Sequence, residues 1–437
     1  MDIRLAYGQD GLKIRVPDEN LAGVIHMNPV ETVSDPDKEI REALKNPIGC
    51  KALSEIAHGR ESAVVVISDI TRPVPNKILL PPILQTLEEA GIPREKICIL
   101  IATGIHRPNL GEELVELVGE EIAENYRVEN HYSEDPEANL YVGEISGGIP
   151  VYIDKHYLSA DLKIVTGLVE LHLMAGFSGG RKAILPGITS LETMKYLHGY
   201  RMIQKDKVCN GRLEGNPFHE GAVEAARKVG CDFIANVTLN EERQITGVFC
   251  GELEAAHEKA CERINESAVV PIDEEADVVI TTSGGYPLDK TLYQAIKGLV
   301  GALDAVKEGG TVILAARNEE GCGSADFEGL LRRLENPMHY YELVMGPDYI
   351  AKDQWMIQEL VNGLHHCELL YYTEGISPED LRDFLVTPIE SVEAGIEHAL
   401  KRLGRDAKIL VLPEGPYVMP RPPKQKENLY SWQSAEA

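Results

Sequence analysis

Four polar segments, each placed directly after an apolar run, carry most of the residues able to do chemistry. Ser68–Pro75 (S-D-I-T-R-P-V-P) contains Arg72, whose planar fork suits a carboxylate or phosphate, and Asp69, which can orient that fork or accept from a sugar hydroxyl. Pro73 and Pro75 stiffen this loop. Ala102–Pro108 (A-T-G-I-H-R-P) presents His106, a candidate general acid/base because imidazole titrates near neutrality. Glu170–Gly187 is the densest segment. Its G-F-S-G-G-R-K run lets backbone N–H groups approach an anion, and Lys182 can bind phosphate or form a covalent link to a cofactor. The run matches neither the P-loop nor the dinucleotide-binding fingerprint. His172 precedes it and His198 follows sixteen residues after Lys182. In Ser283–Gly298, Tyr293, Gln294 and Lys297 have the spacing of one helix face, able to clamp a carboxylate and its α-hydroxyl, with Asp289 read as the N-cap. Taken singly, each segment also reads as a rigid turn, a surface ion pair or a solvated helix face.

The elements that position these loops follow from the apolar pattern. Short β-rich runs at 63–67, 97–102, 162–166, 233–239, 277–282, 311–315, 368–372 and 408–412 alternate with helical stretches such as 77–90, 111–126, 219–228 and 291–306. This alternation predicts an α/β protein of two domains, each with a mostly parallel sheet flanked by helices. Ligands of such sheets bind beyond the carboxyl ends of the strands, where the four segments lie. The polar stretch 266–275 predicts a boundary, giving domains 1–268 and 274–437 and leaving open that the final strand near Val411 returns to the first domain. Residues 421–437 read as a loose tail. Trp355 reads as a packing residue or a cleft wall. The neighbours His365 and His366 diverge on any regular element, which disfavours metal ligation there.

Composition narrows the function. With 43 Lys+Arg against 70 Asp+Glu, the net charge of −27 repels phosphate backbones and anionic membranes, so neither nucleic acid nor membrane is an expected partner. A small anionic substrate then needs a local positive field, expected from Arg72, Arg107, Arg181, Lys182 and Lys297. The N-terminus has no signal-type apolar region, no run is long enough to span a membrane, and the eight cysteines show no C-x-x-C spacing. Reduced thiols in a cytoplasmic protein are expected.

Together, S-D-I-T-R-P-V-P, A-T-G-I-H-R-P, H-L-M-A-G-F-S-G-G-R-K-A-I-L-P-G-I and G-G-Y-P-L-D-x-x-x-Y-Q-A-I-K-G resemble, in order and spacing, the nickel-pincer lactate racemase family over roughly residues 1 to 415. The resemblance implies a two-domain α/β enzyme with its active site in the interdomain cleft. It implies a nickel-pincer nucleotide joined covalently to Lys182, with Ni(II) bound by His198. His106 and His172 would serve as acid/base groups on opposite faces of the substrate carbon. Hydride would pass to and from the cofactor through a transient pyruvate. Arg72 and Lys297 would hold the carboxylate, with Tyr293, Gln294 and Trp355 assisting. Asp69, Thr71, Ser178, Gly179, Gly180 and Arg181 would seat cofactor and phosphate. Cofactor-maturation enzymes are the implied partners. Lactate is the expected substrate, with malate-like, longer aliphatic or sugar 2-hydroxy acids as alternatives. A pyridoxal-phosphate enzyme built on Lys182, and a non-enzymatic anion-binding protein, are the competing classes.

Overall fold

The computed structural model describes residues 1–205, 207–344 and 351–423. From Lys424 onward the expected tail lies outside the described residues. The chain divides into two compact units, one of Pro29–Leu197 and Lys207–Glu266, the other of Met1–Asn28, His198–Asp206 and Ser267–Ala437.

In the first unit a six-stranded sheet runs in the order Ile245–Gly251, Phe233–Leu239, Leu162–Leu168, Ala63–Ser68, Ile97–Ala102, Arg127–Asn130. All neighbours are parallel except the first pair. Ala63–Ser68 and Ile97–Ala102 are almost wholly buried, as β-branched central strands covered on both faces should be. Helix Asn76–Glu89 buries Leu79, Leu80, Ile83, Leu84 and Leu87, a helical stripe that joins the same core as Val65, Ile67, Ile99 and Ile101. Each such side chain contributes about 1.5–3 kcal/mol when fully buried.

The second unit has an all-parallel sheet in the order Thr387–Pro388, Glu368–Tyr372, Val306–Ala315, Ala276–Thr282, Ile409–Leu412, Leu21–Val24. Here the structure departs from the expected boundaries. The final strand stays in this sheet, and it is the N-terminal segment that crosses over to join it. The reason is local chemistry. Asn20 donates to the carbonyls of Arg405 (2.7 Å) and Ala407 (3.0 Å), and buried Asp289 accepts from the Gly8 N–H at 2.6 Å. Ile3, Leu5, Ile14 and Val16 of the first hairpin share a core with Val278, Ile280 and Val411. His198 also belongs to this unit, not to the one that carries Lys182.

The expected helix 111–126 is two, Glu112–Val118 and Glu120–Asn125, because Gly119 takes φ +86 between them. The hairpin Asn139–Ile145/Ile149–Asp154 and helix Pro36–Lys45 were not anticipated. No helix among the described residues is long and apolar enough to cross a membrane.

Gly298 lets helix Leu292–Ala302 lie directly on the sheet: a Cβ there would stand 2.2 Å from the Thr282 carbonyl oxygen and 2.8 Å from Leu314 Cδ1. Gly298→Ala is therefore expected to cost about 1–3 kcal/mol in urea unfolding. Gly301→Ala on the same helix, whose Cβ would meet nothing nearer than 3.4 Å, is expected to cost nothing.

Candidate active site

Three adjacent strands of the first unit, Ile97–Ala102, Ala63–Ser68 and Leu162–Leu168, deliver the first three segments at their carboxyl ends. His106 Nδ1 stands 2.7 Å from Asp69 Oδ2. The other oxygen of Asp69 accepts the Thr71 hydroxyl at 2.7 Å. Burial alone would raise the pKa of Asp69, but the His106 interaction, the Thr71 hydrogen bond and Arg72 outweigh it, and the net shift is downward. Asp69 is thus an ionised acceptor that fixes His106 with Nδ1–H as donor, leaving Nε2 basic. Both Asp69 oxygens are engaged inside the protein, and the pair orients His106. Arg72 donates through Nη1 to Glu170, while its other N–H groups bond nothing among the described residues.

The three loops interlock. Thr103 donates to the His131 carbonyl at 2.6 Å, and the Gly104 N–H to the Gly187 carbonyl at 3.0 Å. The His131 ring, fully buried, bridges Asp154 Oδ2 and the Thr189 carbonyl, each at 2.9 Å.

The Gly-rich segment opens as a tight hairpin, Leu171–His172 paired with Gly176–Phe177. Inside its turn the Met174 and Ala175 N–H groups both donate to His172 Nδ1 at 3.2 Å, and His172 Nε2 lies 2.7 Å from Lys182 Nζ. The Phe218 ring centroid is 5.9 Å from the same nitrogen.

Arg181 is fully buried, and burial lowers its pKa to about 10. Its N–H groups go to the carbonyls of Ala175, Ser178 and Gly179 and to the rings of His219 and His257, and no carboxylate among the described residues bonds it. Burial and the Arg181 charge hold His219 down to about 4 and push His257 well below the usual histidine range. The Ser178 hydroxyl bonds the Leu168 carbonyl and the Glu170 N–H. Gly179 takes φ +74 where a Cβ would strike Val169 at 2.6 Å, and the Gly180 N–H is taken by Asn236 Oδ1 at 3.1 Å. The Ser178 hydroxyl, the Gly180 N–H and the Arg181 guanidinium thus meet acceptors of the protein itself.

The second unit supplies the remaining candidates. Tyr293, Gln294 and Lys297 lie on helix Leu292–Ala302, whose N-cap is Thr291, not Asp289. Asp289 instead sits in the short turn before it, bonded to the N–H groups of Gly8 and Arg317. Trp355 Nε1–H donates to the Tyr293 hydroxyl at 2.7 Å. Trp355 is buried, with its ring 4.8 Å from that of buried His198. Gln294 Oε1 is buried with no hydrogen-bond partner among the described residues.

The expected field of free cations is largely compensated: Arg107 makes two 2.6 Å bonds to Glu113, Arg72 meets Glu170, and Arg181 is internal. Glu170, Asn216, His219, Asn236 and His257 went unread. Asn236 had a signal, being an amide inside the apolar run F-I-A-N-V-T-L. Asn216 had one too, as the capping residue before Pro217; it also ties the Met174 carbonyl at 2.8 Å. His219 and His257 had none, because their role depends on a guanidinium distant in sequence.

The profile of the lactate racemase N-terminal domain matches residues 7–211, and that of the C-terminal domain residues 272–419. A lactate racemase of Lactiplantibacillus plantarum is 36% identical over 417 residues, covering 94% of this chain and 98% of the relative. One from Thermoanaerobacterium thermosaccharolyticum is 34% identical over 424 residues, covering 96% and 99%. The structure of the lactate racemase apoprotein from the latter organism superposes with a TM-score of 0.90 at 34% identity, covering 96% of this chain and all of that one. A Thermotoga maritima protein of known structure shares the fold, with a TM-score of 0.71 at 20% identity over 88% of this chain and 98% of its own.

The Arg181 cage makes stability pH-dependent. Folded His219 stays neutral down to about pH 4, whereas an unfolded histidine takes its proton near pH 6.5. The unfolded state thus binds more protons between those values, and stability is intact above pH 6.5 and lost as pH falls toward 4. His219→Gln keeps an acceptor for Arg181 without the titration, and is expected to flatten the fall in Tm across this window.

Proposed function

The chain belongs to the lactate racemase family, and from that premise we propose that it interconverts D- and L-lactate. The observation that carries the reading is the His106–Asp69 pair at 2.7 Å, with a second histidine, His172, on a neighbouring loop of the same sheet. Racemisation needs acid/base groups of matched strength for both faces of one carbon, and two imidazoles supply them near neutral pH.

His106 takes the proton of the substrate 2-hydroxyl at Nε2 while Nδ1–H remains on Asp69. Because Asp69 is ionised, it stabilises the imidazolium without taking the proton itself. His172 serves the opposite enantiomer. Arg72 retains N–H groups for the carboxylate, and Lys297 is its counterpart on helix Leu292–Ala302. The Tyr293 hydroxyl, aligned by Trp355, donates to substrate oxygen, and the unpartnered Gln294 Oε1 accepts from a hydroxyl.

The residues fit the covalently held part of a nickel-pincer nucleotide, since Lys182 is a half-buried amine beside an imidazole. His198 would hold the nickel through one imidazole, with the nucleotide supplying the other donors. When bound, the group supplies a hydride acceptor that can return the hydride. Separate maturation enzymes are the implied source. A reducing, cytoplasmic setting suits the eight unbonded cysteines.

The test uses protein prepared with nickel and maturation enzymes, one lactate enantiomer, and chiral chromatography. An equal mixture is expected from either side. With Lys182 loaded by intact mass, turnover of a malate-like, longer or sugar acid in place of lactate would reassign the substrate. No turnover of any 2-hydroxy acid would sink the reading. Asp69→Asn is expected to lower kcat by roughly 10²–10⁴ with KM little changed, by releasing His106 from its tautomer.

A further inference from the structure

The turn that holds His172 also decides where its proton sits. Two backbone N–H groups, from Met174 and Ala175, point at Nδ1 from 3.2 Å, so Nδ1 is an acceptor and carries no hydrogen. A neutral imidazole then has its one N–H at Nε2, 2.7 Å from Lys182 Nζ. An ammonium has three donors and no lone pair, so it would set proton against proton across this contact. The contact is satisfied when Nζ accepts.

We propose that His172 donates its Nε2 proton to Lys182 and so holds Lys182 as a neutral, nucleophilic amine ready for attachment of the cofactor. The proposal rests on reading Lys182 as the tether and gives His172 a positioning role that precedes racemisation. The surroundings agree. The segment Gly180–Ala183 packs against the strands Ala63–Ser68, Leu162–Leu168 and Phe233–Leu239 and helix Pro217–Val229. The helix presents the Phe218 ring to Nζ and neutral His219 to Arg181, and His257 also faces Arg181. The adjacent Arg181 cation also favours an uncharged amine.

The attachment step balances with an acyl or thioacyl donor that carries its own leaving group. The Nζ–C bond forms, the bond from carbon to the leaving group breaks with its electron pair going to that group, and Nζ sheds one proton to water. The resulting amide-type nitrogen no longer accepts a hydrogen bond. Attachment therefore releases the His172 ring from this contact.

Competitive acetylation of the bare protein tests this. A limiting amount of an acetyl N-hydroxysuccinimide ester is applied across pH 6–11, and peptide mass spectrometry compares Lys182 with the exposed Lys38 and Lys51. The expected midpoint for Lys182 is at least about one unit below the ordinary lysine value of roughly 10.4. His172→Asn keeps an acceptor where Nδ1 sits but does not reach Lys182, and is expected to restore the ordinary midpoint. His172→Gln keeps an N–H at the far position and is expected to retain most of the shift. A wild-type Lys182 that titrates with Lys38, or a midpoint unmoved by His172→Asn, overturns the proposal. Neither cofactor nor lactate is present in this assay, so its failure leaves the racemase reading standing, and a failed lactate assay leaves this one.

Discussion

A guanidinium cut off from water must be satisfied by the chain around it, and Arg181 imposes that condition on the whole Gly-rich segment. Its N–H groups gather the carbonyls of Ala175, in the hairpin turn, and of Ser178 and Gly179, just after the hairpin, and the rings of His219 and His257 from two separate helices. Leaving any of these donors unmet in the interior would cost more than the bond contributes when made. The backbone therefore closes around Arg181, and the residues on its flanks, His172 and Lys182, are set against each other as a result. The glycines Gly179 and Gly180 follow from the same closure: both have positive φ, and at Gly179 a Cβ would strike Val169 at 2.6 Å. The segment encloses a cation.

The two histidines of the first unit have opposite proton inventories. His106 faces a carboxylate through Nδ1, which fixes a hydrogen there. His172 faces two backbone donors through Nδ1, which excludes one. Nε2 of His106 therefore carries a lone pair, while Nε2 of His172 faces Lys182 with its hydrogen.

Much of the frame was legible because it depends on local pattern. The eight apolar runs all became strands, since β-branched residues between polar loops have few alternatives once both faces are covered. The site was legible as segments but not as contacts. Asp69, Ser178 and Arg181 stand where polar, ligand-facing residues are expected, yet their partners include histidines 35 or more residues away in sequence and backbone carbonyls. Spacing along a chain says nothing of which donors a fold has already used. The boundary at 268 missed the first 28 residues for the same reason: the four-residue strand Leu21–Val24 has a weak pattern, and its membership is decided by Asn20 and Ile409–Leu412.

That pairing has a consequence for the order of assembly. Leu21 is matched with Ile409, so the sheet of the second unit has an edge that can form only after nearly the whole chain has left the ribosome. The first unit is drawn from Pro29–Leu197 and Lys207–Glu266 and can close much earlier. During synthesis the opening hairpin, with Ile3, Leu5 and Ile14 still uncovered, has to wait while a complete domain folds behind it. The unit that carries Lys182 and both acid/base histidines is thus the older one in the life of each molecule, and the unit that carries His198 is finished last.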